Sequence, residues 1–267
     1  MTLTTDIADF ARRDFTFAGK TRPVLCIGDA GPAVIVIHEV YGFTPSLARF
    51  CRWIAEAGMR AYAPILLGTP DATNREAITR SRLLHLCVSR EFTLFAANKS
   101  SPIVDWLKPL ARQLHQECGG SGVGAIGMCL TGGFALSMAV DPVVLAPVLS
   151  QPGMPVTKPA GLDISKADLA CVKQRTLDEG LEIRAYRFVG DTLSHPERFE
   201  TLRTVFGSAV TNIQLPDESA NPNSPLMKAG KPPHSVFTGD LIDAPHEPTR
   251  QNADEVIAFF RSKLIPA

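Results

Sequence analysis

Two uninterrupted apolar runs constrain the fold of this chain more than any other feature of its sequence. The run "AVIVIH" covers residues 33–38 and "VVLAPVLS" covers residues 143–150, and both are rich in β-branched side chains. Strands that are apolar at every position are typical of a parallel sheet whose two faces are both covered by helices. We therefore expect these two runs to be central strands of such a sheet.

Strand-like and helix-like segments alternate along most of the chain, which predicts an α/β fold with a mostly parallel central sheet flanked by helices. Residues 14–28 predict two opening strands that form an antiparallel pair. No linker separates one part of the chain from another, so we expect a single domain over residues 1–267. The remaining expectations are a turn at 29–32, strands at 59–66, 122–128 and 181–190, helices at 44–58 and 247–264, mainly helical structure over 70–118 with a break at 100–102, and a Pro-, Asn- and Ser-rich loop at 215–233.

The net charge and the cysteine content of the sequence indicate which partners and which cellular compartment to expect. Lys plus Arg and Asp plus Glu both number 27, and this zero net charge gives no indication of nucleic acid or an anionic membrane as a partner. The apolar runs are too short to span a bilayer, and we read no targeting signal at the start of the sequence. Six scattered cysteines without a C-x-x-C pair predict reduced thiols, a cytoplasmic location and no metal site.

The stretch "GVGAIGMCLTGGFALSMAV", residues 122–140, carries the strongest functional signal. A strand ending at Met128 and a helix starting near Leu130 would force Cys129 into a tight, strained turn, as in a nucleophile elbow. Its side chain would project above the carboxyl edge of the sheet, where a helix N-terminus favours a thiolate. The usual elbow pattern has glycine two residues after the nucleophile, and here that position is Thr131. A structural cysteine at the end of a buried strand is the alternative.

Four motifs occur in an order that resembles the dienelactone hydrolase family of α/β-hydrolases. They are "HEVYG" at 38–42, "GMCLTGG" at 127–133, "GD" at 190–191 and "HSVFT" at 234–238. The resemblance extends from about Phe15 to the end of the chain, and it implies an α/β-hydrolase fold. It also implies hydrolysis of an activated ester or lactone, a small molecule, with no metal or organic cofactor.

The resemblance implies a role for each residue of the motifs. Cys129 would be the nucleophile, His234 the general base and Asp191 the residue that orients the histidine. Glu39 would be a fourth polar group that contacts the resting thiol and helps to generate the thiolate. The oxyanion hole would then consist of the backbone N–H groups of Leu130 and Val40.

Several of these residues have rivals in the sequence. Asp191 is also compatible with a turn or cap, and Asp217 and Asp240 are alternative acids. His246 competes with His234, because both lie between the last predicted strand and the final helix. We expect His195 to be a surface residue and His38 a hydrogen-bonded wall residue. Family members that act on dienelactones hold a substrate carboxylate with arginines, and none of three candidates aligns convincingly: Arg82, Arg90 and Arg203.

The expected chemistry is attack of the Cys129 thiolate on a carbonyl carbon, formation of an acyl-enzyme, and its hydrolysis by water that His234 activates. A thiolate is also a good leaving group, which favours enol lactones and thioesters over amides. A carboxylesterase or thioesterase with another substrate is one alternative, and a non-catalytic or redox-sensing protein of the same fold is another. A glutamine amidotransferase is disfavoured, because its late H-x-E pattern is absent. The oligomeric state is left open.

Overall fold

The computed structural model describes residues 7–68, 101–154 and 158–266. These residues contribute eight strands to one sheet. The strands are β1 (Ala11–Phe17), β2 (Lys20–Ile27), β3 (Ala33–Ile37), β4 (Arg60–Pro64), β5 (Val123–Met128), β6 (Val144–Ser150), β7 (Ile183–Phe188) and β8 (Val210–Leu215).

The sheet has the order β1-β2-β4-β3-β5-β6-β7-β8. The first two strands are antiparallel to each other, as the sequence predicts, and β2 is antiparallel to β4. From β4 to β8 all neighbours are parallel. The carboxyl ends of β3, β5, β6 and β7 therefore meet at one edge of the sheet, where ligands bind in open α/β folds.

Helices flank this sheet, and their ends follow local signals in the sequence. The first begins with Pro at its first position, and the Thr44 side chain accepts a hydrogen bond from the backbone N–H of Leu47. The second is capped in the same way by Ser101, which is where the sequence predicts a break. The helices are α1 (Pro45–Glu56), α2 (Pro102–Cys118), α3 (Gly132–Met138), α4 (Lys166–Asp178), α5 (Pro196–Phe206), α6 (Pro225–Lys228) and α7 (Pro248–Leu264).

The core lies on both faces of the sheet, and β3 shows why its sequence is apolar throughout. All five of its side chains are buried. Ile35 and Ile37 face a cluster that includes Trp106 of α2, whereas Val34 and Val36 face a cluster that includes Phe260 of α7. Alternate side chains point to opposite faces of a strand, so a strand buried on both faces needs an apolar residue at each position.

Several elements are absent from the sequence predictions, among them helix α6, which lies within the stretch 215–233 that the sequence predicts to be a loop. Helix α4 has only two buried residues, Val172 and Arg175, and so lacks the apolar stripe that marks an amphipathic helix. Strand β8 is the last strand of the sheet, and only its first and last residues are buried. Of the predicted helical region 70–118, the structure bears out the part from Pro102 onward, and residues 69–100 lie outside the described ones.

The cysteines within the described ranges are free thiols, at positions 26, 51, 118, 129 and 171. In the same ranges, no helix combines the length and apolar character that crossing a membrane requires.

Candidate active site

Cys129 occupies a strained turn between β5 and α3. Its φ of 56° lies in the left-handed region, which side chains other than glycine rarely adopt. A short 3₁₀ turn, Cys129–Thr131, joins the strand to the helix. The turn is tight, since a Cβ at Gly127 would overlap the carbonyl oxygen of Thr131 and lie 2.8 Å from its carbonyl carbon. This geometry is that of a nucleophile elbow, with a half-buried thiol at its apex.

The segment after β6 packs directly against this elbow. The backbone N–H of Gly153 donates to the carbonyl oxygen of Cys129 at 2.9 Å. A Cβ added at Gly153 would lie 3.9 Å from the Cys129 sulfur, and one added at Gly132 would lie 2.5 Å from Cα of Pro152. Gly132 therefore permits the close approach of Pro152 to the elbow, whereas Gly153 is in ordinary van der Waals contact with Cys129.

His234 and Asp191 form a buried pair at the same edge of the sheet. The Nδ1 atom of His234 lies 2.7 Å from Oδ2 of Asp191. The side chains are 6% and 1% exposed, respectively, so water contributes little to this bond. A carboxylate only accepts hydrogen bonds, so Nδ1 carries the proton and Nε2 is the nitrogen left for proton transfer.

The Nε2 atom of His234 is on the side of the imidazole ring that faces Cys129. It is buried, and none of the described residues makes a hydrogen bond of regular geometry with it. Burial opposes the charged imidazolium, but the neighbouring Cys129 sulfur and Asp191 outweigh it and hold the pKa of His234 well above its ordinary value. The structure therefore brings Cys129, His234 and Asp191 together, in the chain order of α/β-hydrolases.

The loop that carries Asp191 is fixed by buried polar groups. The other carboxylate oxygen of Asp191, Oδ1, accepts from the backbone N–H groups of Leu193 at 2.9 Å and Ser194 at 3.1 Å. The buried Arg187 guanidinium donates to the carbonyl oxygens of Asp191 and Ser194 at 3.0 and 2.7 Å. Oδ1 of Asp191 therefore accepts hydrogen bonds from its own loop, and Oδ2 accepts from His234.

The two alternative acids support backbone rather than the imidazole. Asp240 accepts from the backbone N–H groups of His234 and Ser235, both at 2.8 Å, and so fixes the start of the histidine segment. Asp217 accepts from the backbone N–H of Gly190 at 2.8 Å, next to Asp191. Each therefore stabilises a loop that presents one member of the buried pair.

Glu39 lies directly after β3 and is buried, and its carboxylate is held by three donors. Oε1 accepts from Nε2 of Gln151 at 2.7 Å and from Oγ1 of Thr238 at 2.8 Å, and Oε2 accepts from Oγ of Ser235 at 3.1 Å. Burial raises the pKa of Glu39, against the charge of His234 and the Thr238 and Ser235 hydroxyls, which lower it. These bonds tie the end of β3 to the segment that follows His234.

The predicted oxyanion donors lie just after the ends of two neighbouring parallel strands. Leu130 directly follows the nucleophile after β5, and Val40 lies three residues after the end of β3. Ile37 and Gly127 are paired across these two strands, so the two segments leave the sheet side by side. Both side chains are buried.

The other candidate residues lie elsewhere or have structural partners. His246 is exposed in the turn before α7, and His195 is half-buried at the start of α5. His38 is hydrogen-bonded, as expected: its Nε2 accepts from the backbone N–H of Leu66 at 2.9 Å, while Nδ1 lies 2.7 Å from the carbonyl oxygen of Glu39. Arg203 is 67% exposed and pairs with Glu200. Arg82 and Arg90 lie outside the described residues.

The structural roles of three polar residues of this site were not identified from the sequence. Gln151 is fully buried with a φ of 33°, and it links Glu39 to the backbone N–H of Val236. Asp240 and the hydroxyl of Thr131 also act through backbone contacts. The contact between Gln151 and Glu39 leaves no local pattern, because the two residues lie 112 positions apart. Across the ranges that the structure describes, no three His, Cys, Asp or Glu side chains are grouped to hold a metal ion.

Comparisons with known proteins agree with this architecture. One solved structure from Klebsiella pneumoniae, provisionally a dienelactone hydrolase, has a TM-score of 0.63 and 17% identity, over 94% of this chain and 97% of that one. A dienelactone hydrolase-like promiscuous phosphotriesterase from metagenomic libraries has a TM-score of 0.62 and 17% identity, over 96% and 98%. The dienelactone hydrolase from Anabaena variabilis has a TM-score of 0.58 and 15% identity, over 96% and 98%.

At these identities the structural matches show the α/β-hydrolase fold alone, and a comparison with curated protein sequences finds no match. The profile of the Dienelactone hydrolase family, however, matches residues 23–167. This range is more than half of the chain and includes Glu39 and the elbow at Cys129. The sequence match, the sheet order and the elbow agree, and the chain belongs to the dienelactone hydrolase family.

Proposed function

We propose that this protein hydrolyses an activated ester or lactone with Cys129 as nucleophile, His234 as general base and acid, and Asp191 as the residue that orients His234. One observation carries the proposal. The His234 ring lies between a buried carboxylate, 2.7 Å from Nδ1, and the sulfur of the strained elbow, and both neighbours raise the pKa of His234. That order of groups is the arrangement of a nucleophile, base and orienting acid.

In the first half of the reaction, the Cys129 thiolate attacks the carbonyl carbon and a C–S bond forms. The tetrahedral intermediate collapses with cleavage of the C–O bond, and the departing oxygen takes a proton from the His234 imidazolium. The product is a thioester on Cys129. Asp191 accepts from Nδ1 throughout and holds Nε2 toward the sulfur.

In the second half, neutral His234 takes a proton from water, which attacks the thioester carbon. Collapse of this intermediate breaks the C–S bond, releases the carboxylic acid and restores the thiolate–imidazolium pair. The cycle uses one water and needs no redox change. The raised pKa of His234 suits this mechanism, because the imidazole must be protonated before it can donate a proton to the leaving group.

Charge that develops on the carbonyl oxygen would be stabilised by the backbone N–H groups of Leu130 and Val40. In this proposal Glu39 is the fourth polar group of the site. The bonds that its carboxylate makes in the structure are to Gln151, Ser235 and Thr238, so its task in this chain includes holding the His234 segment.

The nucleophile indicates the class of substrate. A thiolate is expelled more easily than an alkoxide of an ordinary ester, so the acyl-enzyme forms efficiently only when the leaving group is itself good. Enol lactones of the dienelactone type, activated esters and thioesters meet this requirement. We propose a dienelactone-like lactone as the substrate.

The proposal is tested by hydrolysis of a dienelactone and of p-nitrophenyl acetate by the wild type, Cys129→Ala and Cys129→Ser. Turnover of the lactone that is lost in Cys129→Ala and strongly reduced in Cys129→Ser is the expected result. The serine variant is the matched control, since it keeps the shape of the elbow but lowers the nucleophilicity. Equal turnover in all three proteins would refute a cysteine nucleophile.

A further inference from the structure

Thr131 is the residue of the elbow that departs from the usual glycine, and its hydroxyl lies at the centre of a set of buried polar contacts. The side chain is fully buried. Its Oγ1 accepts from the backbone N–H of Met128 at 3.0 Å. Carbonyl oxygens surround it on the other side, those of Met128 at 2.9 Å, His38 at 3.1 Å and Ile37 at 3.2 Å.

These contacts join two strands at the point where both leave the sheet. Met128 is the last residue of β5, and Ile37 is the last residue of β3. A hydroxyl has one proton and two lone pairs. The one proton is shared among three carbonyl oxygens, and a lone pair accepts from the backbone N–H of Met128. Glycine offers no such bridge, and valine offers the volume without the polar atom.

The segment beyond the bridge is held on its other side by His38. The His38 ring spans from the carbonyl oxygen of Glu39 to the backbone N–H of Leu66, two residues after the end of β4. The hydroxyl of Thr131 and the imidazole ring of His38 therefore hold the backbone of residues 37–39 from two sides. Leu130 immediately precedes Thr131, and Val40 follows this held segment.

We propose that Thr131 is a positioning residue that sets the separation of the Leu130 and Val40 backbone N–H groups across the oxyanion site. The inference rests on the proposed function, because it concerns the same site and the same reaction. It is the hydroxyl that matters rather than the bulk of the side chain. The bridge acts on the stabilisation of charge in the transition state and not on the thiol itself.

The test compares Thr131→Ser, Thr131→Val and Thr131→Gly with the wild type. Removing a whole oxyanion donor costs about 10²–10³ in kcat, so a displaced pair of donors should cost about 10–100-fold in Thr131→Val and Thr131→Gly. Thr131→Ser keeps the hydroxyl and should stay within about threefold of the wild type. KM for p-nitrophenyl acetate should change little, since the bridge acts in the transition state.

Two further readouts separate positioning from general structural damage. The rate at which iodoacetamide alkylates Cys129 needs the thiolate but no oxyanion hole, and it should change by less than about threefold in every variant. Inhibition by 1,1,1-trifluoroacetone, which forms a tetrahedral adduct with the thiolate, needs both the thiolate and the oxyanion hole. This inhibition should weaken in parallel with kcat. The melting temperature reports any loss of folding.

The outcomes are distinguishable. If Thr131→Val and Thr131→Gly keep kcat and lower only the melting temperature, Thr131 is merely structural and the inference is overturned. It is also overturned if alkylation falls in step with kcat, because the hydroxyl would then act on Cys129. If the wild type itself does not hydrolyse the ester, or Cys129→Ala does so equally well, the proposed function fails and this inference falls with it.

Discussion

Replacing Asp191 with asparagine is the perturbation whose effect follows most directly from the geometry. Oδ1 of Asp191 faces two backbone donors, Leu193 N–H at 2.9 Å and Ser194 N–H at 3.1 Å. An asparagine must therefore keep its oxygen at this position, because its NH₂ group would face two N–H groups there. The NH₂ group is then placed against Nδ1 of His234, where Oδ2 now lies at 2.7 Å.

This orientation imposes the wrong tautomer on the histidine. Facing an N–H donor, Nδ1 must become the acceptor, so the proton moves to Nε2 and the ring can no longer take a proton there. Replacing the orienting aspartate of a triad with asparagine typically costs about 10⁴ in kcat, or about 5.4 kcal/mol of transition-state stabilisation. The loop itself should hold, since both of its backbone bonds survive.

The assay is steady-state hydrolysis of p-nitrophenyl acetate by Asp191→Asn, with Asp217→Asn as the matched control. Asp217 supports the same loop through the backbone N–H of Gly190 and is not a partner of His234 in the structure. We expect its asparagine variant to stay within about threefold of the wild type, since the side-chain oxygen that accepts is retained. An Asp191→Asn enzyme within threefold of the wild type would refute the reasoning.

Three further predictions concern the elbow, the buried carboxylate and the charge of the histidine. Gly127→Ala should lower the free energy of unfolding by about 3 kcal/mol and abolish activity, because the new methyl group overlaps the Thr131 carbonyl. Glu39→Ala should cost about 3 kcal/mol, since three donors lose their acceptor, and Glu39→Gln should recover most of it. NMR titration of His234 should give a pKa well above 6.5 in the wild type and a lower one in Cys129→Ala. Because the folded pKa is raised, the stabilisation from His234 is complete below pH 6.5 and is lost as pH rises through the folded value.

Urea unfolding and the NMR titration provide the checks on these three. Gly239→Ala is the control for the elbow, since its Cβ would lie 3.5 Å from Cβ of Ser235, which is ordinary contact. A Gly127→Ala protein as stable as this control would contradict the tight turn. A loss below 1 kcal/mol in Glu39→Ala would show that its hydrogen bonds are weak. A His234 pKa that is the same in wild type and Cys129→Ala would show that the sulfur lies too far away.

Much of the fold was predictable, because the burial of strands and helices leaves a recognisable pattern of apolar residues in the sequence. The fully apolar β3 and the helices α1 and α7, each of which begins with proline, were identified from residue pattern alone. Strand β8 and helix α4 were not, because each buries only part of its surface. The elbow was predictable for a different reason, since a strand, a cysteine and nearby glycines are adjacent along the chain.

The support of the site could not be predicted in the same way. Glu39 and Thr238 are hydrogen-bonded although 199 positions separate them, and Glu39 and Gln151 although 112 do. No local signal encodes such contacts, and the sheet order alone brings them together. Asp240, considered from the sequence as a rival acid, instead holds the backbone N–H of His234, six positions away. This role was not predicted, because the residue type alone does not distinguish a carboxylate that accepts from backbone N–H groups from one that orients an imidazole.

The central claim is that Cys129 becomes acylated during turnover, and mass spectrometry of an acid-quenched reaction tests it most directly. Wild-type protein mixed with p-nitrophenyl acetate should gain one acetyl group on the peptide that contains Cys129. The gain should be absent in Cys129→Ala and should persist longer in His234→Gln, where water is not activated. Hydrolysis by the wild type with no acyl group on Cys129 at any time during turnover would contradict the account.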